Sequence, residues 1–265
     1  MLLKMQSPIK LPQAISDLVT GYIWNRVMIG ESSAKTYRLN RHNYPTIYLK
    51  MAQKRQGREL LEEKKVLEWL SDKLPVAKIL AFDEDDNNDY LLTSEILGSD
   101  AANLVGSIND TELVTLLAEG LRMIHRITID NCPFDRSLDK EIDIAGFNVK
   151  HNLVDEGDFD DIRRGKTAEE LYKKLLLLKP HDEDLVFTHG DYCLPNVMIY
   201  KKGISGFVDL HRAGIADRYK DIALAIRSIR RNLGIRLEQS FFKEYGVIKP
   251  DYKKIEYYML LDEFF

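Results

Sequence analysis

Leu185-Val186-Phe187-Thr188 runs directly into His189-Gly190-Asp191-Tyr192-Cys193-Leu194-Pro195-Asn196. The first four residues read as a short apolar strand. After Asn196 come a second apolar run at 197–200, a Lys201-Lys202-Gly203 turn, and a third run at 204–209 that ends on Asp209. Two short strands joined by a tight turn form a hairpin, which brings the residues flanking its free ends, Asn196 and Asp209, close together. An amide oxygen and a carboxylate so placed can share a cation. Hard oxygen donors suit Mg²⁺, which commonly takes one or two protein ligands and completes its octahedron with phosphate oxygens and water. Asp191, five residues before Asn196, then lies near the cation but outside its shell, where it can accept a hydrogen bond from an acceptor hydroxyl. That arrangement suits phosphoryl transfer, whose largely dissociative transition state rewards positioning and charge neutralisation more than strong basicity.

Upstream, residues 36–40 and 46–51 alternate as two strands separated by the turn-like Arg41-His42-Asn43-Tyr44-Pro45. Side chains alternate with period two, so Ile47, Leu49 and Met51 share one face while Tyr48 and Lys50 share the other. Residues 57–72 change to helical spacing, with Leu60, Leu67 and Leu70 on one stripe and a break before Pro75. Glu63 falls on that stripe. A carboxylate aimed at a core costs several kcal/mol unless a cation meets it, and Lys50 would serve. The alternative is a slightly rotated helix with Glu63 exposed at its border. A further strand is expected at 89–95 and a lobe boundary at Gly98-Ser99, after which the chain reads as mostly helical. Leu113, Leu116, Leu117, Leu121 and Ile124 mark a core helix, and residues 168–178 and 221–231 read as helices too. His125, just past the first of these stripes, reads as a structural histidine. Residues 155–161 carry Asp155, Glu156, Asp158, Asp160 and Asp161, a run that is ordinarily a solvated loop and, beside a site, a landing surface for a polycation.

Composition narrows the class. The 265 residues suit one large domain or two intimate lobes, and 45% hydrophobic with 30% charged residues is ordinary for a soluble globular protein. A formal net charge of −4 argues against a nucleic-acid partner, which demands a basic footprint. Cys132 and Cys193, the two cysteines, stand outside any CxxC or His/Cys cluster, so neither structural zinc nor a disulfide framework is expected. With no signal-like apolar core in residues 1–10 and no run of about 18 apolar residues, a soluble cytoplasmic protein is expected, with no membrane partner.

His189-Gly190-Asp191-x-x-x-x-Asn196 followed by Asp209 is similar to the catalytic and metal-binding motifs of the protein-kinase-like phosphotransferases. More narrowly, the chain resembles the aminoglycoside 3'-phosphotransferases, and nearly end to end. The resemblance is carried by Thr46-Ile47-Tyr48-Leu49-Lys50-Met51, Leu67-Glu68-Trp69-Leu70, Asp130-Asn131-Cys132-Pro133-Phe134, Val208-Asp209-Leu210-His211-Arg212-Ala213-Gly214, Arg227-Ser228-Ile229-Arg230 and the closing Leu260-Leu261-Asp262-Glu263-Phe264-Phe265. The HGDxxxxN motif alone would identify only the superfamily.

The resemblance implies an α+β, two-lobed protein-kinase-like fold. A nucleotide-binding lobe with a hinge would span residues 1–97, with a five-stranded antiparallel sheet and one helix packed on it. A mainly helical catalytic and aminoglycoside-binding lobe would span 98–265, with nucleotide in the cleft between. It further implies ATP, or alternatively GTP, as phosphoryl donor with Mg²⁺, and an aminoglycoside as acceptor. Lys50 would contact the α- and β-phosphates, Glu63 would pair with it, Tyr48 would stack on adenine, Ser32 would cover the phosphates, and the backbone of Ser94 and Ile96 would bond the adenine edge. Asp191 would be the catalytic aspartate, and Asn196 and Asp209 the magnesium ligands. Arg212, Asp158, Asp160, Asp262, Glu263 and the Phe265 carboxylate would recognise the acceptor, since carboxylates steer and orient its ammonium groups. Two positions depart from the family pattern: His211 stands where Gly is common, and Gly157 replaces a carboxylate. The rival readings are a kinase of another small amine or sugar on this fold, and a catalytically inactive nucleotide-binding module. A kinase acting on proteins is disfavoured because HRD, DFG and APE segments are missing.

Overall fold

The computed structural model describes residues 9–27, 34–54 and 58–265. The chain forms two compact units, one made of the residues up to Ala101 together with Pro195–Arg212, the other of Ala102–Leu194 and Ala213–Phe265. Asn196, Asp209 and Arg212 thereby belong to the same unit as Lys50 and Glu63.

The first unit begins with helix α1 (Gln13–Val19) and strands β1 (Ile23–Val27), β2 (Lys35–Asn40) and β3 (Ile47–Gln53). Helix α2 (Glu59–Leu70) and strands β4 (Ile79–Glu84) and β5 (Asn88–Ser94) follow. The five strands make one antiparallel sheet, the number and direction that the resemblance implies, in the order β1-β2-β3-β5-β4. Period-two alternation divides its faces. Ile47, Leu49, Tyr90 and Leu92 bury one face with Ile15 and Val19 of α1, and Met51 packs against them. Lys50 points the other way, to Glu63 of α2. Burying Leu60, Val66, Leu67 and Leu70 on one side of α2 carries Glu63 inward with them, since all lie on one helical stripe.

Three short antiparallel strands complete this unit: β6 (Ser99–Asp100), β8 (Val197–Tyr200) and β9 (Gly203–Phe207), ordered β6-β8-β9. The hairpin is the predicted one, but its second strand stops at Phe207 rather than Asp209. Asp209 has φ 59°, a left-handed conformation that cannot continue a strand. Gly206 is needed for close approach, because a Cβ there would lie 2.7 Å from the Pro75 carbonyl oxygen.

The second unit contains α3 (Asp110–His125), α4 (Leu138–Lys150), α5 (Ala168–Leu177), β7 (Leu185–Thr188), β10 (Gly214–Asp217), α6 (Arg218–Asn232), α7 (Glu238–Tyr245) and α8 (Tyr252–Asp262). Leu113, Leu116, Leu117, Leu121 and Ile124 of α3 are all buried. Helix starts are capped locally: Asn109 accepts from the Thr111 and Glu112 N–H groups, Thr167 and Glu170 form a capping box on α5, and Asp217 accepts from Tyr219 N–H. α3 packs on α7 and α6 on α8, while β7 and β10 pair antiparallel. Among the described residues no helix is long and apolar enough to cross a membrane.

Gly98 gives a test of the packing in the first unit. Its φ is 115°, and a Cβ there would sit 2.1 Å from the Ile199 carbonyl oxygen. Gly106 has φ 76° with open space around the missing Cβ. Gly106→Ala should therefore cost the backbone term alone, ~1–2 kcal/mol, whereas Gly98→Ala should cost more because β6 must also move off β8. Thermal unfolding of the two variants checks this, and a Gly98→Ala midpoint at or above that of Gly106→Ala would contradict it.

Candidate active site

In the first unit three separate segments meet at one ammonium. Lys50 Nζ donates to Glu63 Oε1 at 2.7 Å and Oε2 at 3.0 Å, and also to Asp209 Oδ1. Burial by itself would lower the Lys50 pKa, but Asp209 and then Glu63 raise it, and the net shift is upward. Lys50 is therefore charged at any physiological pH. Burial pushes the Glu63 carboxyl up and Lys50 pulls against it. Of the two readings open for Glu63, the inward one holds.

Asn196 is buried at the end of a 3-10 turn, Leu194–Asn196, directly before β8. Its carbonyl accepts from Val208 N–H at 3.1 Å, which extends the hairpin past its last strand pair and brings Asn196 beside the Val208-Asp209 step. The Asp209 side chain is 41% exposed. An amide oxygen and a carboxylate at one hairpin end fit Mg²⁺, which needs few protein ligands. That Asp209 already holds an ammonium shows that a cation is favoured there. Among the described residues no group of three or more His, Cys, Asp or Glu side chains could hold a metal, so the site has no closed protein cage.

The remaining positions expected on this unit are spread along the sheet. Tyr48 is half-buried on the Lys50 face of β3, opposite Arg38, which also pairs with Glu95 at 3.0 Å. Burial raises its pKa. Ser94 donates its N–H to Lys78 O and accepts from Lys78 N–H through Oγ, both at 2.9 Å, and Glu95 N–H donates to Thr46 O at 3.3 Å. Ile96 stands next to Gly206. Ser32 lies outside the described residues. Arg212 and His211 are half-buried, and the backbone at His211 is not left-handed, so this position does not require the glycine common in the family.

In the second unit the loop after β7 is pinned from several sides. Asp221, fully buried in the first turn of α6, accepts from His189 N–H at 2.7 Å and Gly190 N–H at 2.8 Å, the two residues before Asp191. Its carboxylate also meets His125 Nε2 at 3.1 Å, and His125 Nδ1 lies 2.7 Å from the Tyr245 hydroxyl. A carboxylate can only accept, so Nε2 carries the proton. Burial would raise the Asp221 pKa, but the His125 ring and the hydrogen bonds to it lower it overall. Beyond Asp191, Tyr192 donates to Leu117 O at 2.7 Å and Leu194 N–H to Ser228 Oγ at 3.0 Å. Asp191 itself is half-buried, with its N–H facing His189 Nδ1 at 3.3 Å. The sequence reading missed Asp221. The signal was the one that singled out Glu63, an acid at the head of the apolar run Ile222, Ala225, Ile226 and Ile229.

Most of the carboxylates expected to meet an acceptor already have partners within the second unit. Asp160 pairs with Arg231, Arg163 and Arg227, Asp262 with Arg227, and Glu263 with Arg163. Burial pushes the Glu263 carboxyl up, Arg163 pulls it down and Asp160 adds to the rise, leaving it at about 7. Within the acid run Asp155 accepts from Gly157 N–H and Glu156 from Ala168 N–H, so these two shape the loop. Asp158 and Phe265 are exposed.

The buried Asp221 clamp predicts a stability loss that its neighbours cannot repair. Asp221→Asn presents an amide N–H₂ to groups that are all donors, leaving at least one buried N–H unmet, at ~1–3 kcal/mol. Asp221→Ala strands all of them and should cost more, ~3–5 kcal/mol. Urea unfolding measures both, and an Asn variant as stable as the parent would show that the carboxylate is not needed.

The sequence matches the phosphotransferase enzyme family over residues 26–258. It is 43% identical over 238 residues to an aminoglycoside 3'-phosphotransferase of Niallia circulans, covering 89% of this chain and 90% of the relative. With an enzyme of the same name from Enterococcus faecalis the identity is 36% over 262 residues, covering 97% and 98%. Among solved structures, an aminoglycoside-3'-phosphotransferase of type VIII superposes with a TM-score of 0.85 at 30% identity, covering 96% of this chain and 97% of that one. The aminoglycoside phosphotransferase APH(3'')-Id of Streptomyces rimosus, in complex with ADP and streptomycin, gives 0.77 at 26% identity over 91% and 92%. Shared over nearly their whole length, sequence and fold place this chain in the phosphotransferase enzyme family, among its aminoglycoside phosphotransferases.

Proposed function

We propose that this enzyme transfers the γ-phosphoryl group of ATP to the 3'-hydroxyl of aminoglycoside antibiotics in the cytoplasm, and so confers resistance to them. The observation that carries the reading is the Lys50 ammonium shared by buried Glu63 and half-exposed Asp209, beside Asn196. A largely buried cation, its side chain 19% exposed, held by two carboxylates from distant segments is costly to keep unless its charge is used. The relatives named above supply the substrate class. Two free cysteines are in keeping with a reducing compartment.

In this reading the first unit handles the nucleotide. Lys50 bonds the α- and β-phosphate oxygens, and Glu63 holds the ammonium in place while it does so. Tyr48 offers its ring to the base, and the backbone at Ser94 and Ile96 its edge. Asn196 and Asp209 are the residues that would hold Mg²⁺, which when bound neutralises charge on the phosphate oxygens. The second unit handles the acceptor. Asp191 orients the attacking hydroxyl through a hydrogen bond and takes its proton, and the Asp221 clamp keeps the backbone before Asp191 from shifting. Arg212 and the carboxylates at Asp158, Asp160, Asp262 and Glu263, together with Phe265, recognise the acceptor, the charged groups through charge-assisted hydrogen bonds.

Two measurements test this. Coupled ADP release with purified enzyme, ATP and Mg²⁺ should show turnover of kanamycin and none of tobramycin, which lacks the 3'-hydroxyl. Turnover of neither would move the acceptor to another small amine or sugar. Asp191→Ala should lower kcat about 10²–10⁴-fold while leaving nucleotide affinity by calorimetry within about threefold, because it removes a proton acceptor and not a phosphate ligand. Near-normal turnover in that variant would sink the assignment of Asp191.

A further inference from the structure

Six charged side chains of the second unit pair off around its C-terminus. Asp160 Oδ1 accepts from Arg231 Nη2 at 3.1 Å, and Asp160 Oδ2 accepts from Arg163 Nη1 at 3.2 Å with Arg227 Nη1 at 3.8 Å. Asp262 accepts from Arg227 Nη2. Glu263 Oε1 accepts from Arg163 Nη1 at 2.9 Å, and Oε2 from Asp160 N–H at 3.1 Å. Three carboxylates thus face three guanidinium groups, and the cluster is formally neutral. A polycationic acceptor approaching it meets acids whose charge this chain has already matched.

The three arginines are not equivalent. Arg163 is 6% exposed and bridges Asp160 to Glu263, a buried tie that removal would turn into uncompensated charge. Arg227 is 26% exposed and holds Asp262. Arg231, in the last turn of α6, is 68% exposed and reaches Asp160 from the solvent side. Asp160 is itself 19% exposed, but the guanidinium that meets it lies mostly in water, so the pair contributes about 1 kcal/mol or less and another cation of similar reach can replace it at little cost.

We propose that Arg231 is a specificity-determining residue, an internal cation that competes with a substrate ammonium for Asp160. The inference rests on the aminoglycoside reading given above. A substrate whose ammonium groups must engage Asp160 displaces Arg231, whereas a less aminated substrate that binds through the other carboxylates does not. Arg231 thereby lowers the affinity for the most highly charged acceptors relative to the rest. Its effect lies in ground-state binding, because Asp160 does not touch the transferring group in this reading, and so it appears in KM rather than kcat.

The test is steady-state kinetics of the full-length enzyme, Arg231→Ala and Arg231→Lys, with kanamycin and the more highly aminated neomycin as acceptors. In Arg231→Ala the KM for neomycin should fall about twofold to fivefold, the size of an exposed ion pair, and that for kanamycin by less. Arg231→Lys should restore the parental KM, because it keeps the competing charge, which a merely structural role for the guanidinium fork would not predict. The difference between Ala and parent should shrink near 1 M salt, where the screening length is about 3 Å. A neomycin KM that stays unchanged or rises in Arg231→Ala, or a Lys variant that behaves like Ala, would overturn the proposal. Failure of the parent enzyme to turn over either antibiotic would overturn the aminoglycoside reading and this inference with it, a result distinct from an active enzyme whose KM does not move.

Discussion

A charge removed from water must be met by an opposite charge or by a full set of hydrogen bonds, and both units are organised around that constraint. In the first unit it acts at Lys50. Strand β3 supplies the ammonium, helix α2 supplies Glu63, and the turn after β9, more than 140 residues later by numbering, supplies Asp209. Moving β3 or α2 would strand a buried charge, and moving the Asp209 turn would take away one of the two carboxylates that hold the Lys50 ammonium. In the proposed reading the sheet and hairpin hold the groups that meet a triphosphate, and Asp209, at φ 59°, stands where its carboxylate reaches the Lys50 ammonium.

The second unit answers the same constraint with a carboxylate instead of an ammonium. Asp221 gathers two backbone N–H groups from the loop before Asp191 and one imidazole from the end of α3. The ring is held in turn by Tyr245 of α7, so three helices converge on the backbone of one loop. The backbone just before Asp191 is thereby fixed, and in the proposed reaction, which is governed by alignment, Asp191 acts through its position.

Around the C-terminus the constraint has a different consequence. Carboxylates that attract a cationic substrate repel one another, and a cluster of bare acids would destabilise the folded chain. Arg163, Arg227 and Arg231 relieve that repulsion, and in the proposed reading the exposed Arg231 also competes with the incoming ligand. Stability and affinity therefore draw on the same oxygens. The balance between them depends on exposure: Arg163 is committed to the fold, while Arg231 is exchangeable.

Much of this was legible in the linear chain. Period-two alternation put Tyr48 and Lys50 on one face, helical spacing carried Glu63 inward, the Lys-Lys-Gly turn joined Asn196 to Asp209, and the resemblance to a phosphotransferase family supplied roles for these residues. Helices α4, α7 and α8 were not legible from spacing alone; α8 buries residues on most of its circumference, from Lys254 to Leu261, and so shows no clean stripe. Asp221 and His125 meet 96 positions apart, and Asp160 and Arg231 meet 71 positions apart. Sequence by itself determined the local periodicities and the types of chemical group present, because these depend on near neighbours. Apart from the Lys50–Glu63 pair, which the helical stripe and the resemblance anticipated, only tertiary structure decided which charge meets which, because a salt bridge depends on distances of a few ångströms between segments whose separation along the chain places no limit on their approach.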